Sequence, residues 1–260
     1  MPEVHAKLSP SSGERWINCT GSFDLIDRLN VPEPAGSFAA AEGTLAHSVL
    51  ENDMLLMLGR RSHIDHLSER NRLGVEAKEL LGSHSTVEMS ENARWHIDLV
   101  QDIMMQVHGE ATVFIEERVF PGIPDCFGTA DTIVATDKTL HVVDYKYGRG
   151  IPVSAVQNTQ LKLYGLGAYE MLKVLYDFED VQLHIVQPRL SSVSTWELSL
   201  EELLAWRQDT VLPAVEKIRN HTGDLKPGKK ICQWCPAKAL CPARAEKMIN
   251  HVFGEVLEVI

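Results

Sequence analysis

The stretch from Gly128 to Lys146 constrains this chain more than any other. It reads G-T-A-D, a short apolar run, a turn at Asp137-Lys138, a second β-rich run and then D-Y-K. Two β-rich runs separated by turn residues predict a hairpin. Side chains along a strand alternate faces, so Asp144 and Lys146 point the same way as Val142, while Val143 and Tyr145 take the other face. A hairpin sets Asp131 across from Asp144. Carboxylates held that close repel, and one of them is hard to ionise without a cation. Mg²⁺ or Mn²⁺, both of which prefer oxygen ligands, relieves the repulsion.

An ion so held lowers the pKa of a bound water and stabilises charge on a phosphate. Lys146 would position or deprotonate that water, or neutralise the developing negative charge. This is the minimal apparatus for phosphodiester hydrolysis. The plain alternative is a surface hairpin with an ordinary Asp–Lys ion pair, and features elsewhere in the chain weigh against it.

The surrounding pattern is mixed α/β. A helix is expected from the Ser11-Ser12 cap through Trp16 toward Leu29, broken by Pro32-Glu33-Pro34. A second covers about Phe38 to Leu58, and residues from Arg60 to Glu88 read as a polar, irregular insert. Ser90 is expected to cap a helix with Trp95, Leu99 and Ile103 on one face. Strands are expected near 112–120, 127–135 and 139–145, then a helix near 156–175, strands near 181–187 and 194–198, and a long helix over about 200–220.

Four separated features in this order resemble the PD-(D/E)XK nuclease superfamily, and within it the RecB-like branch. Glu42-Gly43-Thr44-Leu45-Ala46-His47, followed by Glu51, resembles the family's helix with a metal-binding histidine. Asp131 in G-T-A-D and Asp144-Tyr145-Lys146 match the core motif, and Gln160-Leu161-Lys162-Leu163-Tyr164 matches the Q-x-x-x-Y signature. The resemblance implies an α/β restriction-endonuclease-like core with a mixed central sheet flanked by helices. It implies a divalent-metal site of His47, Asp131, Asp144 and the Tyr145 carbonyl, with Lys146 acting on the water. Gln160 would help place water or metal, and Tyr164 would contact the scissile phosphate. In-line attack would leave a 5′-phosphate. His47 and Glu51 are four apart and share a helical face, so Glu51 would orient His47 from behind. Glu116 and Glu117 lie on the preceding strand, and neither is assigned to the site. The chain is also similar to a phage-associated group of RecB-like proteins.

Five cysteines are present. Cys232, Cys235 and Cys241 form C-x2-C-x5-C, which lacks a fourth local ligand, and Cys19 is its natural completion. One distant N-terminal cysteine plus a C-terminal triad resembles the iron–sulfur staple of several RecB-like nucleases, the CRISPR-associated exonucleases among them. Four thiolates suit a [4Fe–4S] cluster, with Zn²⁺ as the rival. A cluster would tie the N- and C-terminal helical segments together. Closing a loop of roughly 200 residues costs about 5 kcal/mol of chain entropy. Cys126 has no partner in the sequence and reads as a buried, reduced thiol. No signal peptide precedes these cysteines, so a reducing compartment is expected rather than disulfides.

A chain of 260 residues with 44% hydrophobic content suffices for one core with embellishments. The expectation is a single nuclease domain over 1–260. Within it lie an N-terminal helical part (1–110), a core (111–200), a C-terminal helix with the cysteine segment (201–248) and a tail (249–260). No apolar run is long enough to cross a bilayer, so no membrane partner is expected. The expected location is the cytoplasm, that of the host cell if phage-encoded. A net charge of −11 is awkward for binding nucleic acid. The cations are unevenly spread, however, and Arg149, Lys162, Lys229, Lys230 and Lys238 are the expected DNA-facing side chains.

These readings lead to a metal-dependent deoxyribonuclease, an exonuclease in phage DNA recombination, repair or processing. Its partner would be single- or double-stranded DNA, with a phage single-strand annealing protein as a further partner suggested by the resemblance, and an oligomer is allowed. Two alternatives stay open: a non-catalytic nucleic-acid-binding protein on a nuclease fold, and a redox protein built on the cluster. No nucleotide- or flavin-binding glycine signature supports the last.

Overall fold

Five runs rich in β-branched residues pair into one mixed open sheet. They are β1 (Thr112–Val119), β2 (Gly128–Ala135), β3 (Thr139–Tyr145), β4 (Asp180–Gln187) and β5 (Ser192–Ser199), in spatial order β1-β2-β3-β4-β5. Three of the four junctions are antiparallel, and β3–β4 is parallel. A parallel step needs a crossover connection, which the helix α6 (Thr159–Leu172) supplies. The structure is a computed structural model and describes residues 6–31, 37–82, 86–107 and 109–257, with side chains as far as His251.

The chain falls into two compact units. One comprises Gly36–Gly122 and Phe127–Leu203; the other gathers Met1–Ala35, Ile123–Cys126 and Leu204–Ile260. The first holds the sheet, α6 and three long helices: α3 (Phe38–Met57), α4 (His63–Leu81) and α5 (Thr86–Gln106). Its core joins Leu45, Val49, Leu50 and Met54 of α3 to Ala93 and Val100 of α5 and to Val134, Val143, Tyr145 and Val186 of the sheet. Helix α6 covers the opposite sheet face, where a Cβ on Gly165 would touch Val181 and Leu183. Gly167 permits an even closer approach, since a Cβ there would lie 2.8 Å from Cβ of Val119 on β1.

The second unit carries α1 (Gly13–Asn18), α2 (Ser22–Leu29), α8 (Leu212–Arg219), α9 (Lys229–Gln233) and α10 (Pro242–Leu257), and α7 (Leu200–Trp206) runs into it. Its first and last segments are bound by backbone hydrogen bonds. Gly21 N–H donates to Asp224 O at 3.0 Å, and Asp224 N–H to Thr20 Oγ1 at 3.1 Å. Gly21 is required there because a Cβ would lie 2.7 Å from Gly223 O.

Several expected elements differ. The N-terminal helix is interrupted at Cys19-Thr20-Gly21, where the chain makes that close approach to Gly223. The Pro32-Glu33-Pro34 stretch lies outside the described residues. The polar segment between Arg60 and Glu88, expected to be irregular, contains α4. Ser62 caps it by accepting from Asp65 N–H at 3.2 Å, Gly82 ends it at φ 63°, and Arg72 bridges Glu69 and Glu76 on its exposed side. Ser90 is a buried residue inside α5 rather than its cap. The buried stripe of α5 is Met89, Ala93, His96, Val100 and Ile103, leaving Trp95 exposed. The long helix over 200–220 is divided by a π-helical turn at Arg207–Val211, just before Pro213, whose ring removes a backbone donor. No described helix is long and apolar enough to cross a membrane.

Candidate metal centre

The sheet register builds a row of acids. Thr132 pairs with Val143 on β2–β3, so the next step puts Asp131 beside Asp144. On β1–β2, Ile115 pairs with Thr132 and Glu117 with Ala130, which puts Glu116 opposite Asp131. Glu116, Asp131 and Asp144 therefore follow one another across three adjacent strands, on the face that α6 covers. The pairing skips the Glu116 step, where the backbone is left-handed at φ 48°. A glutamate in that region is uncommon, and such outliers gather at functional sites.

His47 of α3 closes the cluster. Its Nδ1 lies 3.4 Å from Asp131 Oδ1 and 3.6 Å from Glu116 Oε1. Among the described residues, His47, Glu116 and Asp131 form the group whose ligand atoms all fall within 4.8 Å of one another. One imidazole and two carboxylates are a donor set suited to Mn²⁺ or Mg²⁺. The Tyr145 ring meets the His47 ring edge-on at 5.6 Å. The Tyr145 amide donates to Asp131 Oδ2 at 2.6 Å, fixing that carboxylate against the end of β3.

The two aspartates are shifted in opposite directions. Burial favours the neutral acid at both aspartates, but at Asp131 the charges of His47 and Lys146 and the Tyr145 amide outweigh it and hold the carboxyl low. Asp144 is pushed up by its burial, against the pull of Lys146 and with the push of Asp131. Burial also raises Glu116. At His47 burial acts to depress the imidazole, yet Asp131 and Glu116 prevail and lift it to about 10. One acid is thus held low by its cationic neighbours while burial, the larger cause, and the charge of Asp131 press the other toward neutrality.

Lys146 begins a second chain of contacts. Its Nζ donates to Asp144 Oδ1 at 3.0 Å and to Gln160 Oε1 at 3.2 Å, and Gln160 Nε2 donates to the Tyr164 hydroxyl at 3.2 Å. Nζ also lies 2.9 Å from Asp144 Oδ2, but that buried oxygen accepts no well-aligned hydrogen bond. Gln160 and Tyr164 thus share a face of α6, directed at the row of acids. Asp144, Asp131 and Glu116 all act on the Tyr164 hydroxyl, whose pKa burial raises.

His47, Asp131, Asp144, Lys146, Gln160 and Tyr164 are brought together. Glu51 is not hydrogen-bonded to His47 among the described residues; its charge acts on Glu116 instead. Lys162 does not face outward as expected. It is 6% exposed, donates to Gln157 Oε1 at 3.2 Å and lies 5.9 Å from the Trp196 ring, so its stem serves helix–sheet packing. Arg149 is exposed but lies 3.7 Å from Glu88, which offsets its charge. Glu116 is the functional candidate left unassigned by the sequence. Counting the register outward from Asp131 selects it over Glu117.

The thiols form a separate site in the other unit. Cys19 Sγ accepts from Lys226 N–H at 3.2 Å, and Cys235 and Cys241 pack with Leu25 and Ala237. Burial raises Cys19, the Lys226 amide opposes it, and Cys235, Cys232 and Cys241 add to the rise, so Cys19 feels the other three thiols. Arg15 bears on both Cys235 and Cys19 and offers them a compensating charge. Among the described residues no three of these sulfurs lie within 4.8 Å of one another. Cys126 is 2% exposed, and its thiol is pushed up to about 12 by burial, as befits an inert core residue.

A model of the family described as "Protein of unknown function (DUF2800)" matches residues 5–259. Among solved structures, the chain is similar to one titled "Crystal structure of SSO0001", at 16% identity and a TM-score of 0.30, covering 67% of this chain and 81% of that chain.

Proposed function

This chain belongs to the DUF2800 family, and from its own site we propose that it is a metal-dependent nuclease, most specifically a DNA exonuclease. One observation carries the reading: three carboxylates in a row across β1, β2 and β3 converge with His47 and with the ammonium of Lys146. His47, Glu116 and Asp131 would hold a Mg²⁺ or Mn²⁺ ion, with Asp144 on the neighbouring strand ion-paired to Lys146 at 2.9 Å. When bound, the ion would neutralise charge on the scissile phosphate and make a water more acidic.

The protein's own groups do the rest. Lys146 is hydrogen-bonded to two acceptors, so it acts as a donor and steadies the attacking water or the phosphate. Gln160 holds Lys146 and Tyr164 in fixed relation, and the Tyr164 hydroxyl is set to meet a phosphate oxygen. The restriction to DNA, the exonucleolytic mode and a role in phage DNA processing rest on the resemblance to RecB-like nucleases. At the thiol site, the C-x2-C-x5-C spacing with its remote fourth cysteine, and the resemblance to the iron–sulfur staple of RecB-like nucleases, support a [4Fe–4S] cluster over Zn²⁺.

Protein purified without oxygen and incubated with end-labelled single- and double-stranded DNA tests the reading. Shortening of the label with Mn²⁺ and its loss with chelator is the expected result. Intact DNA under both Mg²⁺ and Mn²⁺ would overturn it.

A further inference from the structure

The segment from Leu225 to His251 carries six Lys and Arg residues against a single acid, Glu246, in a chain whose net charge is −11. The structure folds this segment around a cavity of about 500 Å³. Lys229, Lys238, Arg244 and Lys247 line it together with Met248 and Cys232, and no carboxylate does. Lys238 Nζ donates to Gln233 O at 3.1 Å, Arg244 Nη1 to Lys238 O at 3.1 Å, and Lys247 Nζ to Pro227 O at 2.9 Å. Three of the four cations, Lys238, Arg244 and Lys247, are thus pinned by neutral carbonyls on the cavity's own wall, which orients them without cancelling their charge. Among the described residues none of the four forms an ion pair.

Beside this cavity, directly after its lining residue Gln233, stands Trp234. It is 78% exposed. An indole left in water is costly in apolar surface, and this one follows directly in the chain on Gln233, whose carbonyl holds the Lys238 ammonium. Several cations around a wide cavity suit a chain of phosphates better than one small anion. An exposed aromatic beside such a groove suits the face of an unpaired base.

We propose that this face grips a single-stranded polynucleotide, with backbone phosphates against Arg244, Lys229, Lys238 and Lys247 and a base stacked on Trp234. Duplex is disfavoured because its bases are already stacked on one another. The proposal rests on the nuclease reading for its purpose, since it supplies that site's substrate class, but it is tested by binding alone.

The test is fluorescence anisotropy of the intact protein, purified without oxygen, in chelator, with labelled oligo(dT), oligo(U) and a duplex of equal length. Oligo(dT) should bind at least about tenfold more tightly than duplex and should quench tryptophan emission. Oligo(U) decides whether the grip extends to RNA. Trp234→Ala should weaken strand binding by about tenfold, Trp234→Phe should largely restore it, and both should lose the quench. Lys229→Glu with Arg244→Glu should lower the slope of log K against log salt by roughly 1.4, about 0.7 per phosphate contact. Equal affinity for strand and duplex, no binding of either, or wild-type binding by both the Trp234→Ala and the charge variants would overturn the proposal. The two readings are separated in the wild type, because strand binding is read in chelator and cleavage is read with Mn²⁺. Binding without cleavage in the wild type would sink the nuclease alone, and cleavage with indifferent surface variants would sink this grip alone.

Discussion

Glu116 and Asp131 stand opposite each other on β1 and β2 at the step where the pairing of those strands is interrupted. The interruption turns a glutamate into a left-handed conformation and delivers its carboxylate to within 3.6 Å of His47. Glu116→Gln removes one hard donor from the cluster. Mn²⁺ affinity should fall by roughly tenfold or more, the scale on which even outer-shell partners act, while Glu117→Gln leaves it alone. Calorimetric Mn²⁺ titration of the two variants reads the difference, and matched affinities would remove Glu116 from the ligand set.

Lys146 is the cation that answers both buried aspartates. Lys146→Ala should lower cleavage by about a hundredfold or more, as loss of a positioned donor does elsewhere. The thiol site belongs to the other unit, so its metal content should be unchanged. Product release from an end-labelled strand, read beside metal analysis, checks both halves. Retained metal-dependent cleavage would exclude the lysine's role.

Cys19 supplies the thiol most distant in sequence from the other three. Cys19→Ala should give a colourless protein with a lowered melting temperature. The loss is bounded by about 5 kcal/mol, the closure entropy of the loop it seals, and it should fall short of that bound. The Gly21–Asp224 and Asp224–Thr20 hydrogen bonds still join the same segments. A brown and fully stable variant would exclude Cys19 as a ligand.

His141 and His184 lie on neighbouring parallel strands, with their rings stacked at 5.6 Å and Nδ1 of one 3.4 Å from Nε2 of the other. Burial depresses His141 to about 4; burial, then His141 and His96, depress His184 to about 3. Both stay neutral in the folded protein where an unfolded chain would begin to take up protons near pH 6.5. Stability should therefore be complete above that pH and decline as the pH falls toward 4, because the unfolded state binds more protons in that window. Melting temperatures from pH 7 to 4.5 should show the slope, and His141→Gln with His184→Gln should flatten it. An unchanged slope in the double variant would assign the pH dependence to other groups.

The sheet was legible because its signals are local. Turn residues at Asp137-Lys138 and alternating strands on either side fix one register, and one register sets the faces of Asp131, Asp144 and Lys146. Helix α4 was not legible, because its buried positions are few, chiefly His66, Leu73 and Ala77. It is held by a cap, a glycine stop and surface ion pairs rather than by a broad apolar stripe. Lys162 was misplaced for a related reason. Its charge suggested solvent, but α6 is buried on nearly every side, so the ammonium was drawn against Gln157 and Trp196. Glu116 needed the pairing of β1 with β2, a long-range fact that its own neighbourhood does not encode.

The unit that holds the cysteines is assembled from three separate stretches of chain, the last beginning at Leu204. During synthesis at about 5–20 residues per second, Cys19 leaves the ribosome roughly 200 residues ahead of its partners and waits some 10–40 seconds for them. Throughout that interval it lacks the three thiols it faces in the folded protein. Assembly of the four thiols is therefore tied to the end of translation, and a chain truncated between Ser199 and Cys232 keeps every strand of the sheet but lacks three of those thiols.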